Sequence, residues 1–225
     1  QLIVTAWGIF HLACAEKNGY LEYIGFENCV MAELGNQRIR YLENYWDRVP
    51  WPGTTDGIIK GSSKYYYTSL GVKHDAFDLN GGDGAVALDL IKPIDKKYIG
   101  KYNIVTNFGT SEHCGVRDEQ YLVFNNIDKF CCHGGVMVHN VPHTGNWPGH
   151  AHVWYTTNFF KELAKIYKYH ICVLGVQRRR GPITPEDYKN ALKDQFGNLS
   201  YDESLKDKAY AAANGYLKDM VTCIL

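Results

Sequence analysis

Short apolar runs fit for buried strands recur along this chain, with stretches of helical period between them, and that alternation leaves few folds open. The strand-like runs fall at residues 29–34, 76–79, 86–90, 103–107, 136–141, 170–176 and 220–225. Helical stretches are expected at 6–17 (closed by Asn18–Gly19), 37–46, 64–70, 119–130 and 156–167, with one or two polar helices within 185–215. In 119–130 the residues Leu122, Val123, Asn126, Ile127 and Phe130 form an apolar stripe. In 156–167 the stripe is Phe159, Phe160, Leu163 and Ile166, with Thr157 or Asn158 as the cap. Strands alternating with helices predict an α/β fold with a doubly wound, mostly parallel sheet, right-handed crossovers and helices on both faces. The long insertion before the final strand suits an antiparallel last strand.

The chain has 225 residues, 45% of them apolar, enough for one full core. A single domain over 1–225 is expected, with a core at 29–176 and a C-terminal helical insertion and last strand at 177–225. The 24 basic and 24 acidic residues cancel, which argues against a nucleic-acid partner. Arg178, Arg179 and Arg180 read as a solvated turn. No apolar run approaches the roughly twenty residues that span a bilayer, so no membrane partner is expected. Residues 1–14 lack the basic start and cleavage site of a signal peptide. Seven cysteines show no CxxC spacing, and a reducing, cytoplasmic compartment follows, with Cys29 and Cys172 as small core residues. The cluster Tyr65, Tyr66, Tyr67 reads as amphipathic surface and groove lining.

The most informative segment runs from Tyr102 to Cys114, YNIVTNFGTSEHC. Ile104 and Val105 suit a buried strand, which then breaks into Asn107, Phe108, Gly109 and Thr110 and ends in Glu112–His113. Open α/β sheets present a ligand crevice where strands run out in this way. Further on, His133–Gly134–Gly135 reads as a turn feeding the next strand. Upstream, Glu33–Leu34–Gly35 is an acid, a spacer and a glycine, Asp78 ends the second strand, and Asp89 follows the third.

On these residues the chain resembles the class I methyltransferases that use S-adenosylmethionine, as a divergent member, over roughly 29–176. The resemblance implies a Rossmann-like sheet and methyl transfer to a small-molecule or sugar-like acceptor by base-assisted in-line displacement. It implies that Asp78, followed by Leu79, binds the ribose hydroxyls. Asp89, or in competition Asp83, would meet the adenine. Glu33, Gly35 and Asn36 would lie beneath the methionine tail, and Asn107 and Phe108 would floor the sulfonium. The family's glycine-rich turn is incomplete, because Asn36 and Gln37 follow Gly35. That substitution motivates a rival reading, a catalytically inactive binding protein for S-adenosylmethionine or a nucleoside on the same scaffold. A dehydrogenase is disfavoured because GxGxxG is missing. A base near neutrality is needed for a hydroxyl or amine acceptor, and His113, His139 and His143 are the candidates. His139, His143, His150 and His152 also invite a metal, but no carboxylate lies at a supportive spacing, so no metal site is expected. The sequence does not specify an oligomeric state.

Overall fold

The computed structural model describes residues 3–4, 28–39, 63–144, 149–179 and 218–224. The strands are β1 (Ile3–Val4), β2 (Val30–Leu34), β3 (Arg38–Ile39), β4 (Lys73–Asp78), β5 (Val86–Ala87), β6 (Tyr102–Phe108), β7 (Cys131–Pro142), β8 (Val173–Arg179) and β9 (Lys218–Ile224). The α-helices are α1 (Ser63–Ser69), α2 (Gln120–Phe130) and α3 (Thr157–Tyr167).

Seven strands form one sheet in the order β5-β4-β2-β6-β7-β9-β8. The pairs β4–β5, β2–β4, β2–β6 and β6–β7 are parallel. β9 runs antiparallel to both β7 and β8. The chain builds outward from β2 to β5, then returns to lay β6 on the other side of β2. That reversal opens a crevice at the carboxyl ends of β2 and β6, where doubly wound sheets bind ligands.

Both faces of the sheet are covered. Ala32, Leu34, Phe77, Val105, Met137 and Val141 point to the face that α2 and α3 cover with Val123, Phe124, Ile127, Phe130, Phe160 and Leu163. Residues of opposite parity, among them Met31, Ile104 and Val138, are buried on the other face. There α1 packs on β4 through Tyr67, whose ring stacks on His74 at 5.4 Å. Near-continuous apolar strands are what a sheet buried on both faces requires.

Several expectations change. Gln37 does not open a helix: Arg38–Ile39 is extended and pairs in parallel with Ile3–Val4. The buried Gln37 side chain fixes that course by donating from Nε2 to the Phe108 carbonyl (3.1 Å). The third strand shortens to Val86–Ala87, because Asp89 folds back to accept from the Ile91 N–H (3.1 Å). His133–Gly134–Gly135 is not a turn before a strand. It lies inside β7, where the register with β6 jumps from Tyr102↔Cys131 to Ile104↔Val136. Gly134 takes φ 74°, and a Cβ on Gly135 would sit 2.6 Å from the Cys131 sulfur, so both glycines serve the bulge.

The cap of α3 is Thr156, whose hydroxyl accepts from the Phe159 N–H, in place of Thr157 or Asn158. Ile166 is 72% exposed and leaves the stripe, while Phe124 joins the core. Tyr66 and Tyr67 are core residues, and Tyr65 alone of the three faces solvent. Cys29 is buried, whereas Cys172 is half-buried. Arg178 and Arg179 lie in β8, paired with Asp219 and Lys218, and do not form a turn. The helices expected at 6–17 and within 185–215, and Arg180, lie outside the described residues. No described helix is long and apolar enough to cross a membrane.

Candidate active site

A cleft of about 350 Å³ opens at the β2–β6 reversal, lined by residues that include Gly35, Asp78, Leu79, Asp89, Thr110 and His113. Its position follows from the strand ends. β2 stops at Leu34, and Gly35 turns with φ 76°, a left-handed conformation that favours glycine. The Gly35 N–H reaches across to the Phe77 carbonyl (2.7 Å), which ties the end of β2 to the end of β4.

Asp78 closes β4. Its Oδ2 accepts from the Asn36 N–H (3.1 Å) and its Oδ1 from the Asn80 N–H (3.3 Å). An ionised carboxylate has about four acceptor sites, so this anchored group can still accept from a ligand in the cleft. Leu79 beside it is 74% exposed and presents an apolar wall. Asp89 is half-buried, with one oxygen on Ile91 N–H. Asp83 does not line this cleft; it lies on the surface, 3.7 Å from Arg38.

The opposite wall comes from the turn after β6. Thr110 Oγ1 donates to the Leu34 carbonyl (2.6 Å) and accepts from Gln37 Nε2 (3.4 Å). Gln37 thus stands where a second glycine is expected and bridges the ends of β2 and β6 with its carboxamide. Cys114 also lines the cleft, and burial pushes its thiol up to about 12, so it is no thiolate nucleophile at neutral pH. Burial lowers the His113 imidazole below its usual value, with the Glu112 carboxylate pulling the other way.

Not every residue singled out in the sequence reaches the cleft. Glu33 is fully buried beneath it, accepting from Ser63 Oγ (2.6 Å) and the Gln37 N–H (3.2 Å) and standing 3.6 Å from His74 Nε2. It braces β2 against α1 and does not line the pocket. Asn36 contributes its N–H to Asp78 and its Nδ2 to the Gly82 carbonyl (2.8 Å). Asn107 is buried and holds the following turn: its Oδ1 accepts from the Ser111 N–H (3.0 Å) and its Nδ2 donates to Ser111 Oγ (2.9 Å). Phe108 is 7% exposed and offers only its carbonyl, to Gln37. Neither Asn107 nor Phe108 floors the cleft.

The three histidine candidates separate in the same way. His113 lines the cleft. His139 is 1% exposed, boxed by Phe124 and Phe160 with ring centroids at 5.7 and 5.2 Å. Burial holds its pKa down at about 3. The anchored Asn107 Nδ2 approaches its Nδ1 at 3.1 Å, which assigns the ring proton to Nε2. His143 is 7% exposed and is tied to Tyr155 by a parallel bridge. His139 and His143 are therefore core residues, closed to an acceptor.

Glu112 was visible in the sequence only as half of a Glu-His pair. It is fully buried, with its Oε1 3.9 Å from His113 Nε2 and 3.8 Å from His150 Nε2. Its carbonyl accepts from the N–H groups of His152 (3.0 Å) and Val153 (3.2 Å), which fastens the 149–155 segment over the turn after β6. Tyr155 completes the fastening: its hydroxyl donates to Gln120 Oε1 (2.7 Å) and meets Ser111 Oγ (2.9 Å). Spacing along the chain gives no sign of the Glu112–His150 approach, because the 149–155 segment makes it.

No family model matches the chain. A comparison with curated proteins found no match either. Solved structures do match. A methyltransferase dependent on S-adenosylmethionine from Archaeoglobus fulgidus is 10% identical, with 95% of this chain and 93% of that one covered and a TM-score of 0.47. The 1,6-didemethyltoxoflavin N1-methyltransferase of Burkholderia thailandensis, solved with S-adenosylhomocysteine, is 11% identical, covering 96% and 85%, with a TM-score of 0.45. Phosphoethanolamine N-methyltransferase 2 of Haemonchus contortus, solved with S-adenosylmethionine, is 14% identical, covering 98% of this chain and 57% of that one, with a TM-score of 0.48.

Proposed function

We propose that this chain is an S-adenosylmethionine-dependent methyltransferase that acts on a small-molecule acceptor. One observation carries the reading: a left-handed glycine turn at Gly35 and an anchored carboxylate at Asp78 face one cleft at the reversal point of the sheet. A sheet edge that binds a nucleoside needs close backbone approach and an acceptor for the ribose hydroxyls. Gly35 offers the first and Asp78 the second.

In this reading Asp78 holds the ribose, with Leu79 against the base and Asp89 accepting from the adenine amino group. The bound cofactor would supply an electrophilic methyl carbon for in-line displacement. The chain's own tasks are alignment, exclusion of water and removal of the acceptor's proton. Thr110 and Gln37 hold the end of β6 rigidly against the end of β2, which fixes the wall that the acceptor must approach. The proton leaves toward the Glu112–His113–His150 group, of which His113 lines the cleft.

The experiment is transfer of label from methyl-labelled S-adenosylmethionine to a fractionated cell extract. Label in the small-molecule fraction is the expected result. Label confined to protein or nucleic acid would overturn the acceptor class. Binding of the cofactor without transfer to any fraction would favour the non-catalytic alternative.

A further inference from the structure

Glu112 presents a physical problem. Among the described residues neither carboxylate oxygen has a hydrogen-bond partner, and its side chain is 0% exposed. A buried carboxylate in that position is costly unless it is paired at short range or coordinates a metal. Among the described residues short-range pairing with a cationic group is absent: the nitrogens of His113 and His150 stand at 3.9 and 3.8 Å, beyond the 2.7–3.2 Å of an N–H···O bond. Both nitrogens are Nε2 atoms that converge on the same oxygen, Oε1. The two rings meet edge to face with centroids 4.8 Å apart.

One ligand atom from each of Glu112, His113 and His150 lies within 4.8 Å of the other two. A metal bonded at about 2.1 Å to two such atoms holds them about 3.0–3.4 Å apart. The group therefore needs to draw in by only an ångström or so. Hydrogen bonds hold the frame on both sides. Glu112 and His113 sit in a one-turn helix pinned by Asn107 and Ser111. His150 sits on the segment fastened to the Glu112 carbonyl by His152 and Val153. Two imidazoles and one carboxylate form a donor set that suits a divalent transition metal and leaves positions open to an exogenous ligand.

We propose that Glu112, His113 and His150 form a binding site for one divalent transition-metal ion, zinc being the probe of choice. Because His113 also lines the cleft, an oxygen of the acceptor would occupy the open position, and the loaded ion would replace the three side chains as the aid to deprotonation, lowering the acceptor's pKa so that its proton leaves to water. That role rests on the methyltransferase reading. Ion binding itself does not, and it is measured without cofactor or acceptor, so the two can fail separately.

The test is calorimetry of the metal-free full chain with Zn²⁺, paired with the visible absorption of the Co²⁺ form. One equivalent of Zn²⁺ and a Co²⁺ spectrum with nitrogen–oxygen ligation are expected. His150→Ala, at a partly exposed position, should weaken binding by more than the ~10–100-fold that losing an outer partner of a ligand costs. Glu112→Gln should do the same, with the thermal unfolding of the metal-free variants as a check on folding. Absence of stoichiometric Zn²⁺ binding by the wild type would overturn the proposal. So would wild-type affinity in a folded His150→Ala variant, or a Co²⁺ spectrum showing thiolate charge transfer. The last result would move the ion to the thiols Cys131, Cys132 and Cys172, which line a separate cleft of about 540 Å³ with His133 and His170.

Discussion

The two halves of the sheet's carboxyl edge carry similar residues and treat them in opposite ways. On the β2–β4 side, and on the turn after β6, Gly35, Asp78, Asp89 and His113 face a cleft. On the β6–β7 side, Asn107, His139 and His143 are buried, His139 between Phe124 of α2 and Phe160 of α3. The difference lies in what stands above the strand ends. Over β2 and β4 the chain turns sharply through Gly35 and the Asn80–Gly84 cluster, which are small. Over β7 it places Phe124, Tyr155, Phe159 and Phe160, whose rings pack face to edge at 4.9–6.2 Å. Histidine beyond a strand thus lines a cleft on one half, while histidine in or just after a strand is buried on the other. Residue type alone does not decide between them.

The largest expected effect comes from unsealing the closed half. Phe160→Ala should cost about 3–5 kcal/mol in unfolding free energy, because a fully buried ring is lost. It should also let water reach His139 and raise its pKa, which NMR titration of the ring would read. A small stability change with an unmoved His139 would show that the seal does not depend on this ring.

The second effect is a pH dependence. Burial holds His139 at about 3 in the folded protein, against about 6.5 for an exposed imidazole. The folded state therefore keeps the ring neutral where the unfolded chain protonates it. Its contribution to stability is full above about pH 6.5 and is lost as the pH falls toward about 3, at up to ~1.4 kcal/mol per pH unit. In His139→Gln that part of the slope should vanish from denaturant unfolding curves measured across this window. An unchanged slope would mean that His139 titrates in the folded state.

On the open half, Gly35→Ala should cost about 1–2 kcal/mol, since φ at 76° is unfavourable for any residue with a Cβ. Equal stability of the variant would show that the turn relaxes freely. The smallest effect belongs to the cleft histidine. His113→Gln should change stability by less than about 1 kcal/mol while abolishing or sharply reducing methyl transfer, a split that a core residue would not show.

Much of this contrast was legible in the sequence, and part of it was not. The central strands were, because Val30–Leu34 and Tyr102–Phe108 are buried on both faces and carry apolar centres, Val30–Met31–Ala32 and Ile104–Val105. Gly35, Asp78, Leu79, Asp89 and His113 were placed on the same edge by their positions after strands, and they line one cleft. Asn107 and Phe108 share that edge, yet both side chains are buried, on opposite faces of the sheet as neighbours in a strand must be, with Ser111 offering Asn107 its hydrogen bonds. His139 sits on β7 and His143 just past its end, and the apolar pattern of that strand gave no hint of the aromatic lid above it. Gln37 was read as the start of a helix because its buried hydrogen bonds to Phe108 and Thr110 span distant parts of the chain. His150 reads in the sequence as one of four histidines that invite a metal but lack a carboxylate, because its approach to Glu112 depends on backbone bonds from His152 and Val153.

The most direct measurement of the central claim, that Gly35 and Asp78 frame an S-adenosylmethionine cleft, is calorimetric titration of wild type and Asp78→Asn with the cofactor. Wild type should bind, and the variant should bind roughly 10- to 150-fold more weakly, as the loss of a charge-assisted hydrogen bond worth about 1.5–3 kcal/mol requires. Wild-type protein that binds neither S-adenosylmethionine nor S-adenosylhomocysteine at millimolar concentration, or an Asp78→Asn variant that binds as wild type does, would contradict it.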